Sequence, residues 1–419
     1  MNQSSWICCQ LGAREHYAVA RALYSNRALA KLITDFWCPP GSIFSRMLAS
    51  SLTRGLHGRY HSSLVESDVH ALNFSALTFE AIARIRGQSG WQQIMTRNDW
   101  FQHKVVNWLT RNAETLRPEK PIVFAYSYAA REIFRVAKQR GWPTVLGQID
   151  AGPVEEQIVA EEVAREPELA GSWKPVPRAY WDFWREECNL ADRIVVNSEW
   201  SRTCLEKAGV NGSKLFVIPL AYEPITDIQI TRSYPAHFTR DRPLRVLFLG
   251  QVNLRKGVGR LFKAIRLLEK EAIEFHFVGP IQVSIPEDLK NRPRVCWHSL
   301  VSRDHVAAFY QTADVLIFPT LSDGFGLTQL EAQAWSLPII ASQFCGEVLR
   351  DGQNGLLLEN LTGETITDVL RQCLANPELL AQLAAGSGNF TGYSLHELGE
   401  RFVKLAGNRR QEPAPGSRS

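Results

Sequence analysis

Two stretches of this 419-residue chain carry residue types that can grip a pyrophosphate. In ADVLIFPTLSDGFGLTQLEAQAWSLPIIAS, Asp323 is followed by Gly324, Phe325 and Gly326, and a second acid, Glu331, comes after seven intervening residues. The pattern reads as a strand over Asp314–Pro319, a turn at Leu321–Asp323, a glycine-bearing loop, a helix with Glu331 in its first turns, and a Pro-led strand over Pro338–Ala341. Glycines let the backbone approach a ligand closely. The free N–H groups of a helix start, here around Leu327 and Thr328, can then receive a diphosphate without a metal. The same residues also admit a plainer reading, with Asp323 as an Asx-turn or N-cap residue and Glu331 as a solvated helix carboxylate.

The second stretch, LRVLFLGQVNLRKGVGRLFKAI, puts a glycine turn and a cation pair between a strand and a helix. Arg255 and Lys256 can neutralise a departing pyrophosphate, which is what transfer from a nucleoside diphosphate requires of a protein. The alternative is two surface cations before a helix. A third stretch, Ser172–Trp184, holds Trp173, Tyr180, Trp181 and Trp184, either as a platform for an acceptor or as core.

The elements that must position these residues follow from hydropathy periodicity. From residue 121, short β-rich apolar runs alternate with amphipathic stretches of helical length, the pattern of βα units on a parallel sheet. Strands are expected at Ile122–Tyr126, Thr144–Ile149, Arg193–Asn197 and Leu215–Pro219, and helices at Ala129–Arg140, Tyr180–Leu190 and Glu199–Ala208. The polar stretch EPITDIQITRSYPAHFTRDRP buries little and reads as a linker, after which the alternation restarts. Strands follow at Arg245–Gly250, Glu274–Gly279, Arg294–Ser299, Asp314–Pro319, Leu337–Ser342 and Gly355–Leu358, with helices at Val258–Lys270, Arg303–Thr312 and Thr328–Ala334. At the front, Ser5–Cys9 and Ala30–Phe36 read as strands, with a glycine turn and helix in LGAREHYAVARALYS.

The expected organisation is an α/β protein of two Rossmann-like, doubly wound domains facing across a cleft. Its parts are an N-terminal domain over 1–222, a linker over 223–243, a C-terminal domain over 244–390, a helix over 391–408 and a disordered tail over 409–419. Ligands of open parallel sheets lie beyond the carboxyl ends of the strands, so the cleft is the expected site.

Composition narrows the function. The chain is 45% hydrophobic and 21% charged, with no disordered or fibrous bias. The eight cysteines form no CxxC pair and are expected to be reduced thiols. No secretory leader is expected from the opening MNQSSWICCQLGAREHY, and no apolar run approaches the ~18 residues of a membrane span. A cytoplasmic location is expected. Residues 1–150 carry 18 Lys and Arg against 10 Asp and Glu, a balance of +8. That balance suits attraction to anionic lipid headgroups, as at the inner membrane face, to nucleic acid or to an anionic substrate, or else an unevenly solvated surface. There is no Asp-x-Asp, and the His57/His61 pair at i,i+4 spacing has no companion carboxylate, so no metal is assigned. No G-x-S-x-G, P-loop or G-x-G-x-x-G anchors a hydrolase, ATPase or dehydrogenase.

The segment Asp323-GFGLTQL-Glu331 resembles the Glu-x7-Glu signature of the retaining, nucleotide-sugar-dependent glycosyltransferases of family four, which have the GT-B fold. The resemblance covers nearly all of residues 190–360. It implies that Asp323 holds donor-sugar hydroxyls and that Glu331 holds ribose hydroxyls. An Asp in place of Glu shortens the reach by about 1.5 Å. The family's Gly-Arg-x4-Lys-Gly loop is matched by Gly250, Lys256 and Gly257, with Gln251 at the arginine position and Arg255 as the nearest replacement charge. The family's first-strand glycine loop corresponds to Gly12, with Arg14, Glu15 and His16 as cleft residues or ordinary first-turn helix residues. A family histidine expected after Thr144–Ile149 is absent, and Gln148 or Asp150 stands in its region.

The resemblance therefore implies a metal-independent hexosyltransferase-like enzyme. It would need no cofactor, would use a nucleoside-diphosphate sugar as donor and a glycan or lipid-linked hydroxyl as acceptor, as in polysaccharide biosynthesis, and would have no nucleic-acid partner. The rivals are a catalytically silent nucleotide-sugar-binding protein, motivated by Gln251 and Asp323, and an epimerase or phosphorylase on the same fold.

Overall fold

The computed structural model describes residues 5–42, 58–116, 120–224, 230–299, 301 and 303–407. The front half runs β1 (Trp6–Gln10), α1 (Ala18–Ser25), β2 (Leu29–Thr34), β3 (Val69–Ala71), α2 (Asn73–Ile85), α3 (Gly90–Asn112), β4 (Ile122–Tyr126) and α4 (Arg131–Gln139). It continues with β5 (Thr144–Gly147), α5 (Pro153–Arg165), α6 (Arg178–Leu190), β6 (Arg193–Val196), α7 (Glu199–Lys207) and β7 (Leu215–Val217). Its sheet has the order β3-β2-β1-β4-β5-β6-β7, with parallel neighbours throughout.

The back half runs β8 (Leu244–Leu249), α8 (Val258–Leu267), β9 (Ile273–Val278), α9 (Glu287–Lys290), β10 (Val295–His298), α10 (Arg303–Thr312), β11 (Val315–Phe318) and α11 (Thr328–Ala334). Then come β12 (Ile339–Ser342), β13 (Gly355–Leu358), α12 (Gly363–Ala375), α13 (Pro377–Ala385) and α14 (Leu395–Gly407). The second sheet is parallel in the order β10-β9-β8-β11-β12-β13.

The central strands are apolar on both faces because helices cover both. Every residue of β1 and β4 is buried. Ile7, Cys9, Val123 and Ala125 face one core with Phe101 and Phe134, while Trp6, Cys8 and Phe124 face another. That second core is closed by α14, whose Phe402 ring lies 5.7 Å from Trp6. The last described helix thus returns to the front domain.

In each sheet the order reverses beside the first strand of the unit, between β1 and β4 and between β8 and β11. The loops at these switch points cannot pack on each other within a sheet and leave a crevice. Gly12 follows β1 and Gly250 follows β8, so both lie at such points.

Three sequence expectations are corrected. The helix expected directly after the Gly12 turn starts only at Ala18, because Glu15, His16 and Tyr17 adopt φ of 50°, 51° and 61°. The linker does not bury little: Tyr234 and Phe238 pack on the back-half core. Arg232 donates to the Trp335 and Ala313 carbonyls at 2.8 and 2.6 Å, and Arg242 grips both Asp314 oxygens at 2.7 Å. The sequence pattern gives no expectation of helices α2, α3, α5, α9, α12 and α13 or of strand β3. Residues 225–229 of the linker, His57 and the expected tail over 409–419 lie outside the described residues.

The two halves touch through α5 and α7. Glu162, on α5, accepts from Arg260 of α8 at 3.2 and 2.8 Å, and Leu169 enters the back-half core. Ser198 and Ser201 donate to the Gly324 carbonyl at 2.8 and 3.2 Å, and Trp200 Nε1 donates to Ser322 Oγ at 3.0 Å.

Candidate active site

A cleft of about 620 Å³ opens where the loops after β1, β8 and β11 converge. From the back half it is lined by Gly250, Gln251, Arg255, Lys256, Asp323, Phe325, Gly326, Leu327, Thr328 and Glu331. Gly12, Arg14, Glu15, Ile149 and Asn197 line it from the front half. Residues from two motifs distant in sequence therefore share one hollow.

Lys256 is placed by a tight turn. Asn253 Oδ1 accepts from the Lys256 amide at 3.1 Å, and Gly257 follows in the left-handed region with φ 72°. A β-carbon at Gly257 would collide with the Pro319 carbonyl, so only glycine lets this loop lie against the end of β11. The Lys256 ammonium then pairs with Asp323 Oδ2 and lies 4.6 Å from the centre of the Phe318 ring.

Arg255 reaches the same acid at 3.5 Å, sits 3.7 Å from Glu155, and donates to the Ser322 carbonyl at 3.0 Å. Burial alone would push the Asp323 carboxyl up, but Lys256 and Arg255 outweigh it and hold it below the ordinary range. Asp323 is therefore ionised and doubly paired.

Glu331 accepts from Tyr310 Oη at 2.6 Å, which fixes its carboxylate at the wall between this cleft and an adjoining hollow of about 510 Å³. Thr328 Oγ1 is buried and has no hydrogen-bond partner, although Thr328 lines the cleft. A buried hydroxyl without a partner costs stability, and a bound ligand can relieve that cost.

Several expected residues are placed differently. Gly324 does not line the cleft; its close approach is to the Ile149 carbonyl of the front half. Gly12 lines the cleft, but its N–H is taken by Asp35 Oδ1 at 2.9 Å, an acid held by Arg59 and Arg97 at 2.8 and 3.0 Å. His16 lines the adjoining 510 Å³ hollow instead.

Gln148 is buried. It accepts from Trp184 Nε1 at 2.9 Å and donates to Asp150 Oδ1 at 2.9 Å, so its amide is used internally. Asp150 also accepts from Tyr128 Oη at 2.6 Å and the Gly152 amide at 3.0 Å, and it faces a second cavity of about 710 Å³. Neither Gln148 nor Asp150 lines this cleft.

Sequence reasoning missed Glu155. This residue, on the first turn of α5, accepts from Ser322 Oγ at 2.8 Å and faces Arg255. Burial pushes its carboxyl up to about 7, opposed by Arg255 and reinforced by Asp150 and Asp323. The Pro-Val-Glu-Glu start of α5 was the available helix signal, with Pro at N1 and acids in the first turn. Asp35 and Tyr310 left no sequence signal, because their partners are distant in the chain.

Away from the cleft, His276, Cys296 and His298 bring their ligand atoms within 4.8 Å of one another on β9 and β10. This is the one such group among the described residues, and none of its members lines the cleft.

A family model described as glycosyl transferases group 1 matches residues 243–376. Over this segment the chain is similar to the group 1 glycosyltransferases. Among its relatives, a D-inositol 3-phosphate glycosyltransferase of Xylanimonas cellulosilytica is 36% identical over 35% of this chain and 37% of that protein. An uncharacterized 41.2 kDa protein from the cps region of Klebsiella pneumoniae is 22% identical over 43% of this chain and 51% of its own length. The chain thus spans about half, or less, of the curated relatives it matches.

Among solved structures, Anabaena HepE in complex with UDP aligns with TM-score 0.58 at 14% identity, covering 97% of this chain and 100% of that one. The glycosyltransferase WaaG, involved in lipopolysaccharide biosynthesis, aligns at 0.59 with 15% identity over 97% and 100%. At such identities the likeness is one of fold. The chain has the GT-B architecture of two Rossmann-like domains.

Proposed function

We propose that this protein is a retaining glycosyltransferase that moves a sugar from a nucleoside diphosphate to an acceptor hydroxyl, without a metal ion. The observation that carries the reading is the convergence of Arg255, Lys256, Asp323, Thr328 and Glu331 on one interdomain cleft. UDP complexes of structural neighbours such as HepE support a nucleotide-sugar donor.

In this reading the diphosphate lies along the amides of Gly326, Leu327 and Thr328, and Lys256 and Arg255 balance its charge. Asp323 takes donor-sugar hydroxyls and Glu331 takes the ribose. The bond between the sugar's anomeric carbon and the diphosphate breaks as the acceptor oxygen bonds that carbon from the same face. The acceptor proton passes to the departing diphosphate oxygen. The protein supplies position and charge and no nucleophile.

The acceptor is a glycan or a lipid-linked glycan, and peripheral membrane contact belongs to the same proposal. It is supported by the +8 balance of the front segment and by Phe74, Ile82 and Ile85, which stand exposed on one stripe of α2 beside Arg84 and Arg86. Among the described residues no helix is long and apolar enough to cross a membrane. All eight cysteines are unpaired, which accords with a reducing cytoplasm.

Thermal melting with UDP, GDP and ADP tests the donor half. A ligand at one hundred times its dissociation constant adds about 2.7 kcal/mol to stability. A shift of several degrees with one base is expected, and no shift with any of them would contradict the proposal.

A further inference from the structure

Beside the donor cleft, the 710 Å³ cavity is walled by half-buried aromatic rings on three separate elements. Trp91 opens α3, Tyr128 follows β4, and Tyr180 and Trp181 lie on α6. The Tyr128 and Tyr180 rings stack at 4.6 Å, and the Trp91 ring lies 5.2 Å from Tyr180, tilted at 60° to it. Trp91 Nε1 donates to the Lys174 carbonyl at 3.2 Å, so the indole is held in place.

The charged groups of this cavity are three acids, Asp150, Glu155 and Glu156, and two cations, Arg255 and Lys174, beside the neutral Ser172, Asn253 and Gln282. Glu156 is fixed by the Val176 amide and Trp181 Nε1. Carboxylates are acceptor groups, and a set of them repels phosphate while welcoming hydroxyl donors. Aromatic faces combined with hydroxyl acceptors match the two sides of a pyranose ring, one lined with C–H groups and one rimmed with O–H. The volume falls in the range of roughly 300–1,000 Å³ that encloses a drug-sized ligand, the size class of a short oligosaccharide.

The cavity is also connected to the proposed chemistry. Arg255 lines both it and the donor cleft. Glu155 faces the aromatic cavity while bonding to Ser322, the residue before Asp323. A sugar stacked on Trp91 and Tyr180 would therefore end beside the donor.

We propose that this cavity binds the uncharged glycan end of the acceptor, with Trp91 and Tyr180 as the stacking surface and Asp150, Glu155 and Glu156 as hydroxyl acceptors. The inference rests on the transferase reading and assigns its acceptor a binding cavity.

The test is a glycan array probed with the labelled full-length protein as wild type, Trp91→Ala and Tyr180→Ala, with nucleotide melting shifts read on the same samples. The expected result is retention of a set of neutral glycans by the wild type, at least tenfold weaker in both variants, with the nucleotide shift unchanged. Trp91→Ala is the informative variant if Tyr180→Ala fails to fold. Neutral glycans bound equally by wild type and Trp91→Ala would overturn the assignment. So would retention confined to phosphorylated glycans, or no glycan retained by a wild type that still shows its nucleotide shift. Loss of the nucleotide shift alongside Trp91-dependent glycan binding would instead sink the donor reading and leave the cavity assignment standing.

Discussion

Lys256 and Asp323, 67 residues apart in sequence, form an ion pair inside the interdomain cleft. The pair places the cation proposed to meet the diphosphate against the acid proposed to meet the sugar. An incoming diphosphate must therefore share or displace Asp323 as a partner of Lys256.

Asp323→Asn separates these two roles. It frees Lys256 and Arg255, so nucleoside diphosphate binding measured by calorimetry should tighten, by about tenfold or 1.4 kcal/mol at most. Sugar transfer should fall at least a hundredfold, the order of loss seen when an aligned polar group is removed. Weaker diphosphate binding in the variant would show that Asp323 does not compete for Lys256.

Thr328→Val tests the orphaned hydroxyl. The free protein should keep or slightly gain thermal stability, because a buried oxygen without a partner is removed at nearly constant volume. The diphosphate affinity should drop about five- to tenfold, one hydrogen bond's worth. A variant that binds as the wild type does would remove Thr328 from the site.

Glu155, on the wall of the cavity beside the cleft, gives the protein a pH signature. Its carboxyl titrates at about 7 in the folded chain, above its unfolded value, so the folded state keeps a proton that the unfolded chain has released. That contribution to stability is full below the ordinary carboxylate range and is lost as pH rises through about 7. Glu155→Gln removes the titration. The variant's melting temperature relative to wild type should therefore rise between pH 5 and pH 8. A difference that stays constant across that range would contradict burial as the dominant influence on Glu155.

Glu187 holds the front domain together at the start of α4. Its carboxylate accepts from the amides of Tyr128, Ala130 and Arg131 at 2.6, 2.7 and 3.1 Å. Glu187→Ala leaves these donors without an acceptor in a buried setting, which should cost on the order of 3 kcal/mol in denaturant unfolding. A loss under about 1 kcal/mol would mean that water replaces the carboxylate.

These relationships show where sequence reading succeeds and where it stops. The strands around the cleft were legible because a strand buried on both faces must be a continuous apolar run, as in IVFAY and VLIF. The Asp323–Glu331 segment was legible because strand, loop and helix follow one another locally. Helix α3, Gly90–Asn112, was not, since its buried Phe101, Val105 and Leu109 are diluted by polar residues on a long exposed face. The fate of Gln148 depended on Trp184 and that of Gly12 on Asp35, partners that no spacing reveals. Left-handed backbone at three consecutive non-glycine residues, Glu15 to Tyr17, also runs against every local preference and could not be read in advance.

The proposed function requires that the cleft grip a diphosphate through Lys256, Arg255 and backbone amides, without a metal ion. The direct measurement is titration calorimetry of nucleoside diphosphates in excess EDTA, with the wild type and Lys256→Ala. Metal-free binding by the wild type, weakened at least tenfold by Lys256→Ala, is the predicted result. Binding that vanishes with EDTA, or that is indifferent to Lys256, would contradict it.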